Sequence, residues 1–141
     1  MSQLTRRAAA VSVLSFVGLC ALPAHAADIP VSLSGTAEVP PVQTQASGEG
    51  TITVNDDHSV TGAVTTQGIE ATMAHIHQAP AGENGPVVIP LEKKGGNQWA
   101  VPAGARFDDA QYKAYQAGHM YVNVHSAAHK GGEIRGQLEP R

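Results

Sequence analysis

The sequence predicts an all-β protein, a single antiparallel β-sandwich or barrel with one short helix. Three observations carry this reading. Apolar and polar residues alternate over short segments, the period of a half-buried strand. Those segments recur at roughly 8–12-residue spacing between clusters of Gly, Pro, Asn and Asp. Hydrophobic residues make up 42% of a 141-residue chain, enough to pack one domain core, so wholesale disorder is excluded. The formal charge of −3 excludes broad electrostatic binding to nucleic acid, which needs clustered Lys and Arg.

The chain opens MSQLTRRAAAVSVLSFVGLCALPAHA. Arg6 and Arg7 give a positive start, Ala8 to Leu22 an apolar stretch, and Ala24-His25-Ala26 a small-residue cleavage pattern. This is the layout of a secretory signal peptide, with an apolar run too short to span a bilayer. Residues 1–26 are therefore expected to be removed, with no membrane insertion afterwards. Thr5-Arg6-Arg7 fits the core of a twin-arginine signal as well as an ordinary secretory one. Either route exports the protein, to the periplasm or beyond the cell. Leu19 before Cys20 is a poor lipoprotein match, so lipidation is not expected. Losing Arg6 and Arg7 takes the charge from −3 to −5, and the remaining 27–141 contains no cysteine. Without disulfides, such a domain must rely on its core, a metal or assembly.

The strands follow in order. Val31, Leu33 and Gly35 alternate with polar residues and predict a first strand to about Val39, ended by Pro40-Pro41. Residues 48–55 alternate again, with Ile52 and Val54 on one face. The turn Asn55-Asp56-Asp57-His58 sends the chain back along Val60 to Thr66 as a hairpin. Further strands are expected at Thr72–His77, Val87–Leu91, Gln98–Val101, Tyr121–His125 and Glu133–Leu138. Asp108-Asp109-Ala110-Gln111 reads as a capping box, because a carboxylate and a Gln three residues on satisfy the first free N–H groups of a helix. A short helix near 109–117 follows, with Gly118 as its left-handed end. No repeat or linker interrupts 27–141, which is read as one domain.

Histidine is the residue in unusual number, at 7. His75-Ile76-His77 lies in an expected strand, so the two imidazoles share a face about 6.5–7 Å apart while Ile76 points into the core. On a second strand His119, Tyr121, Asn123 and His125 share one face. Bringing His125 beside His75 and His77 would make a three-nitrogen site, and imidazole suits copper, zinc, iron and nickel. His119, His129 and Met73 are further candidate ligands, although Met73 also suits the core. Met120 is expected in the core and His58 at the solvated surface. Tyr121 and Asn123 flank His125 and are candidates for orienting an imidazole. Arg135 is expected to hold loop carbonyls or a carboxylate. Without cysteine, any site must be built from nitrogen, oxygen and Met73. The bland alternative is a hydrogen-bonded network of strand histidines holding no metal.

Three blocks carry a family resemblance: LSGTAEVPPV at 33–42, AHIHQAPAGENGPVVIPL at 74–91 and YVNVHSAAHKGGEIRGQL at 121–138. Together, in this order, they resemble the CHRD domain, the module named for chordin and frequent in exported bacterial proteins. The resemblance implies an antiparallel β-sandwich of immunoglobulin-like type. More faintly, the same blocks resemble copper–zinc superoxide dismutase, with His75, His77 and His125 on its copper-histidine positions and Arg135 on that of its anion-guiding arginine. The loop 78–86 has no histidine, so the bridging imidazole and zinc ligands are missing and no zinc site is expected.

The favoured reading is an exported, non-enzymatic CHRD domain that binds a transition metal, copper by preference, through His75, His77 and His125. The alternative is a structural or protein-interaction module without metal. A third reading is a copper-dependent enzyme that handles superoxide. No catalytic residues are expected, since no nucleophile elbow, phosphate loop, dinucleotide fingerprint or carboxylate pair is present.

Overall fold

The alternating segments form nine strands in the computed structural model, which describes residues 26–140. The expected signal peptide and its arginines lie outside the described residues, Ala26 excepted. In chain order the elements are β1 (Ala27–Ser34), β2 (Ser47–Val54), β3 (Val60–Gln67), β4 (Ala71–His77), β5 (Val87–Pro90), β6 (Glu92–Lys93), β7 (Gln98–Ala100), α1 (Asp109–Gln116), β8 (Met120–Ser126) and β9 (Ile134–Leu138). All pairings are antiparallel, in the order β5-β4-β8-β9-β1-β2-β3-β7-β6.

The two ends of that order, β5 and β6, are neighbours in the chain, separated by Leu91 alone. The sheet must therefore curl until its first and last strands meet, giving a flattened, nearly closed sandwich. Leu91 turns the corner and its N–H donates to the Ala74 carbonyl at 2.9 Å. A strand that bends from one layer to the other is a common way to build such a corner.

The expected elements are present with shifted ends. The first strand stops at Ser34 rather than Val39, because Gly35–Ala37 turns into a short 3-10 helix. There the Gly35 carbonyl accepts from both Glu38 and Val42. The two-residue β6 carries too little alternation to be seen in sequence. In α1 the capping box is complete: the Asp108 carboxylate accepts from Gln111 N–H, and the Gln111 side chain accepts from Asp108 N–H. Gly118 follows at φ +77°.

Inward residues form one core. β1 contributes Ile29, Val31 and Leu33, β8 contributes Met120, Val122 and Val124, and β4 contributes Ala74 and Ile76. Phe107 and Tyr115 close one side from the helical segment. Met73 belongs to the other face and is 48% exposed, so the expectation that it fills the core is corrected. His58 is also less solvated than expected: its ring stacks on Tyr112 with centroids 4.0 Å apart.

β8 departs from half-buried alternation, since all seven of its residues are buried. Its inner residues face the core. Its outer residues Tyr121, Asn123 and His125 are bonded to side chains and backbone of three connections, 35–46, 78–86 and 127–133. A second, polar layer thus lies outside the sheet over β4, β8 and β9.

Candidate metal centre

The register brings the three histidines of the sequence reading together. β4 pairs with β8 so that His77 faces Tyr121, His75 faces Asn123 and Met73 faces His125. His75, His77 and His125 each offer a ring nitrogen, and these atoms all lie within 4.8 Å of one another. His75 Nδ1 is 3.0 Å from His125 Nε2. Among the described residues no other three His, Cys, Asp or Glu side chains converge this way.

Backbone carbonyls fix two of the rings. His77 Nδ1–H donates to the Gly85 carbonyl at 2.9 Å, and His125 Nδ1–H donates to the Lys130 carbonyl at 2.9 Å. A ring nitrogen that donates to a carbonyl leaves the other nitrogen with a free lone pair, the tautomer a metal requires. His77 Nε2 is buried and has no hydrogen-bond partner. An orphaned buried acceptor at the meeting point of three imidazoles fits a cation bonded at ~2.0 Å, with only small ring rotations to close the distances.

The electrostatics keep His75 and His77 neutral. Burial first, then the neighbouring His125 and His77, push His75 down to about 4. Burial also lowers His77, against the hydrogen bond to Gly85, with His125 and Arg135 adding to the lowering. Both imidazoles are therefore unprotonated near neutrality, with lone pairs available.

Around the cluster, Tyr121 and Arg135 build a wall. The Tyr121 ring lies parallel to His77, and the Arg135 guanidinium carbon sits 3.6 Å from the Tyr121 centroid. The Tyr121 hydroxyl accepts from Gly85 N–H at 3.1 Å. Arg135 donates to the Glu83 carbonyl at 2.8 Å and to Asn84 Oδ1 at 2.6 Å, and its Nε lies 3.6 Å from Glu38. At 3% exposure Arg135 is committed to the loop and to Glu38, and has no free face for guiding an anion. Asn123 donates to Glu38. Burial raises the Glu38 carboxyl above its ordinary range despite Arg135.

The remaining candidates are placed apart. His119 is exposed ahead of β8, six residues or on the order of 20 Å of strand from His125. His129 lies on the 127–133 turn, where its N–H donates to Ser126 Oγ at 3.1 Å, and its charge acts on Glu38 and Glu133. Burial would raise Glu133, but hydrogen bonds from Ser126 and Thr44 outweigh it and hold the carboxyl below its usual range. Met73 stands on the histidine face, directly across from His125. Glu38 and Gly85 were not singled out as site residues from sequence. An arginine expected to hold loop carbonyls or a carboxylate leaves its acidic partner to be found, and Glu38 in the AEVPP segment was the signal for one.

The chain is thus an antiparallel β-sandwich with a three-histidine cluster roofed by its loops. The CHRD domain model matches residues 29–138, and the chain belongs to the CHRD domain family. No curated protein and no solved structure is significantly similar to it.

Proposed function

We propose that this CHRD protein is exported after loss of residues 1–26 and binds a transition metal ion, copper by preference, through His75, His77 and His125. The observation that carries the reading is His77 Nε2: buried, without a partner, and one of three imidazole nitrogens within 4.8 Å of one another. Three imidazoles from two strands suit Cu(II), and a set without thiolate or a fourth histidine suits a structural zinc ion less well. Copper buffering or delivery outside the cytoplasm is the role that matches such a site, with no catalytic residue assigned.

A second reading, a metal-free structural or interaction module, draws on the 3.0 Å contact between His75 and His125, which ties β4 to β8 unaided. It leaves His77 Nε2 unexplained, because a network of that kind should satisfy each imidazole nitrogen with protein groups. Competition titration of the purified protein with Cu(II) and Zn(II) separates the two. The expected result is one equivalent of tightly held Cu(II), lost in His77→Ala and His125→Ala. No stoichiometric binding, or binding indifferent to both substitutions, would overturn the proposal.

A further inference from the structure

Met73 is one of two large hydrophobic side chains left exposed among the described residues, and the register sets it beside the histidine cluster. It precedes His75 by two on β4, so both project from the outer face, and it is the direct cross-strand partner of His125. Directly opposed residues in an antiparallel pair hold their Cβ atoms about 4.5–5.5 Å apart, within reach of a flexible thioether. His77 and His125 are buried, whereas His75 is half-buried. The cluster is therefore open on the side where His75 and Met73 stand. At 48% exposure, Met73 is not held by core packing and is free to turn toward or away from that opening.

Donor chemistry gives this placement a meaning. Imidazoles hold Cu(II) and Cu(I) alike, but a thioether is a soft donor with a marked preference for Cu(I). From this juxtaposition we propose that Met73 is a conditional fourth ligand, engaged by a soft monovalent ion and released by Cu(II). The site then accepts copper in either oxidation state, with the histidines common to both. This inference rests on the metal-binding reading of the histidine cluster and adds selectivity for oxidation state to it.

The test uses Ag(I), a soft, redox-inert stand-in for Cu(I), alongside Cu(II). The protein carries methyl-labelled methionine; Met120 is fully buried in the core and serves as the internal reference. One equivalent of Ag(I) is expected to shift the Met73 methyl resonance and leave Met120 in place. Met73→Leu should weaken Ag(I) binding about tenfold while changing Cu(II) binding by less than about twofold. A silent Met73 methyl, equal affinities in Met73→Leu, or Ag(I) binding to Met73 that survives His125→Ala would each overturn it. If Cu(II) still binds through the histidines in those cases, the metal-binding reading stands and only the role of Met73 falls. Failure of wild type to bind either ion removes both.

Discussion

The imidazole of His77 lies parallel to the phenol ring of Tyr121, 8° between planes and 5.0 Å between centroids. Because β8 runs between β4 and β9, Tyr121 is flanked by His77 from one strand and Arg135 from the other. The same Tyr121 hydroxyl takes the Gly85 N–H, while the Gly85 carbonyl takes the His77 Nδ1–H. A single residue of the 78–86 loop, Gly85, is thus fastened to both rings of the stack.

Tyr121→Phe keeps the stack and removes the hydroxyl. The Gly85 N–H then loses its acceptor, at about 1 kcal/mol in stability. Tyr121→Leu removes the aromatic stack and the cation–π contact as well, so it should cost distinctly more. Urea unfolding of the metal-free forms checks the order, and equal losses would contradict it.

Gly85→Ala should act on the metal site without touching a ligand. A Cβ at Gly85 would lie 1.8 Å from the Gln78 carbonyl oxygen, so the backbone must shift. The Gly85 carbonyl that fixes His77 would move with it. Misplacing such a supporting group typically costs about 10–100-fold in metal affinity. The expected result is a Cu(II) affinity reduced within that range with one-equivalent stoichiometry kept; unchanged affinity would show that the carbonyl does not orient His77.

Arg135→Met breaks a buried ion pair and leaves the Glu38 carboxylate uncompensated. Removing one partner of such a pair costs about 3–5 kcal/mol. Burial already raises Glu38 above its ordinary carboxyl range, and loss of Arg135 raises it further. A folded-state carboxyl that holds its proton more tightly than the unfolded one makes stability fall as pH rises through its folded value. The destabilisation should therefore be greatest at neutral pH and shrink on acidification. Glu38→Gln combined with Arg135→Met should recover part of the loss at pH 7, as read by urea unfolding across the pH range.

The histidines impose the opposite slope on the metal-free wild type. His75 stands at about 4 in the fold against 6.5 unfolded, and His77 is lowered too. The unfolded chain binds more protons between those values, so stability is full above about 6.5 and is lost as pH falls toward 4. With a chelator present, the midpoint of thermal unfolding should fall over this window, and His75→Ala should flatten the dependence. A wild-type midpoint constant from pH 7 to pH 4.5 would contradict the depressed values.

Much of the fold was legible because local alternation encodes it. Ile52 and Val54, the HIH triplet and the Asp108–Gln111 capping box each declare their element within a few residues. The metal candidates were legible as residue types: strand alternation put His75, His77 and His125 first, but only the register separates them from His119, His129 and Met73. Pairing Met73 with His125 and His77 with Tyr121 is set by contacts about fifty residues apart in sequence, which no local period records. The same holds for Glu38, whose partners Asn123 and Arg135 come from the far end of the chain. The outward residues of β8 read as a half-exposed strand face, and only the folded loops reveal that this face is covered.

The corner at Leu91 bears on how the protein behaves among copies of itself. Because the chain joins the first and last strands of the order, the terminal strands left with an unpaired side are short: four residues in β5 and two in β6. β5 ends on Pro90, which has no N–H to donate to an incoming strand. Long, flat, unpaired edges are what lets sheet proteins stack into fibres. At the β5 and β6 edges the route of the backbone guards against that fate.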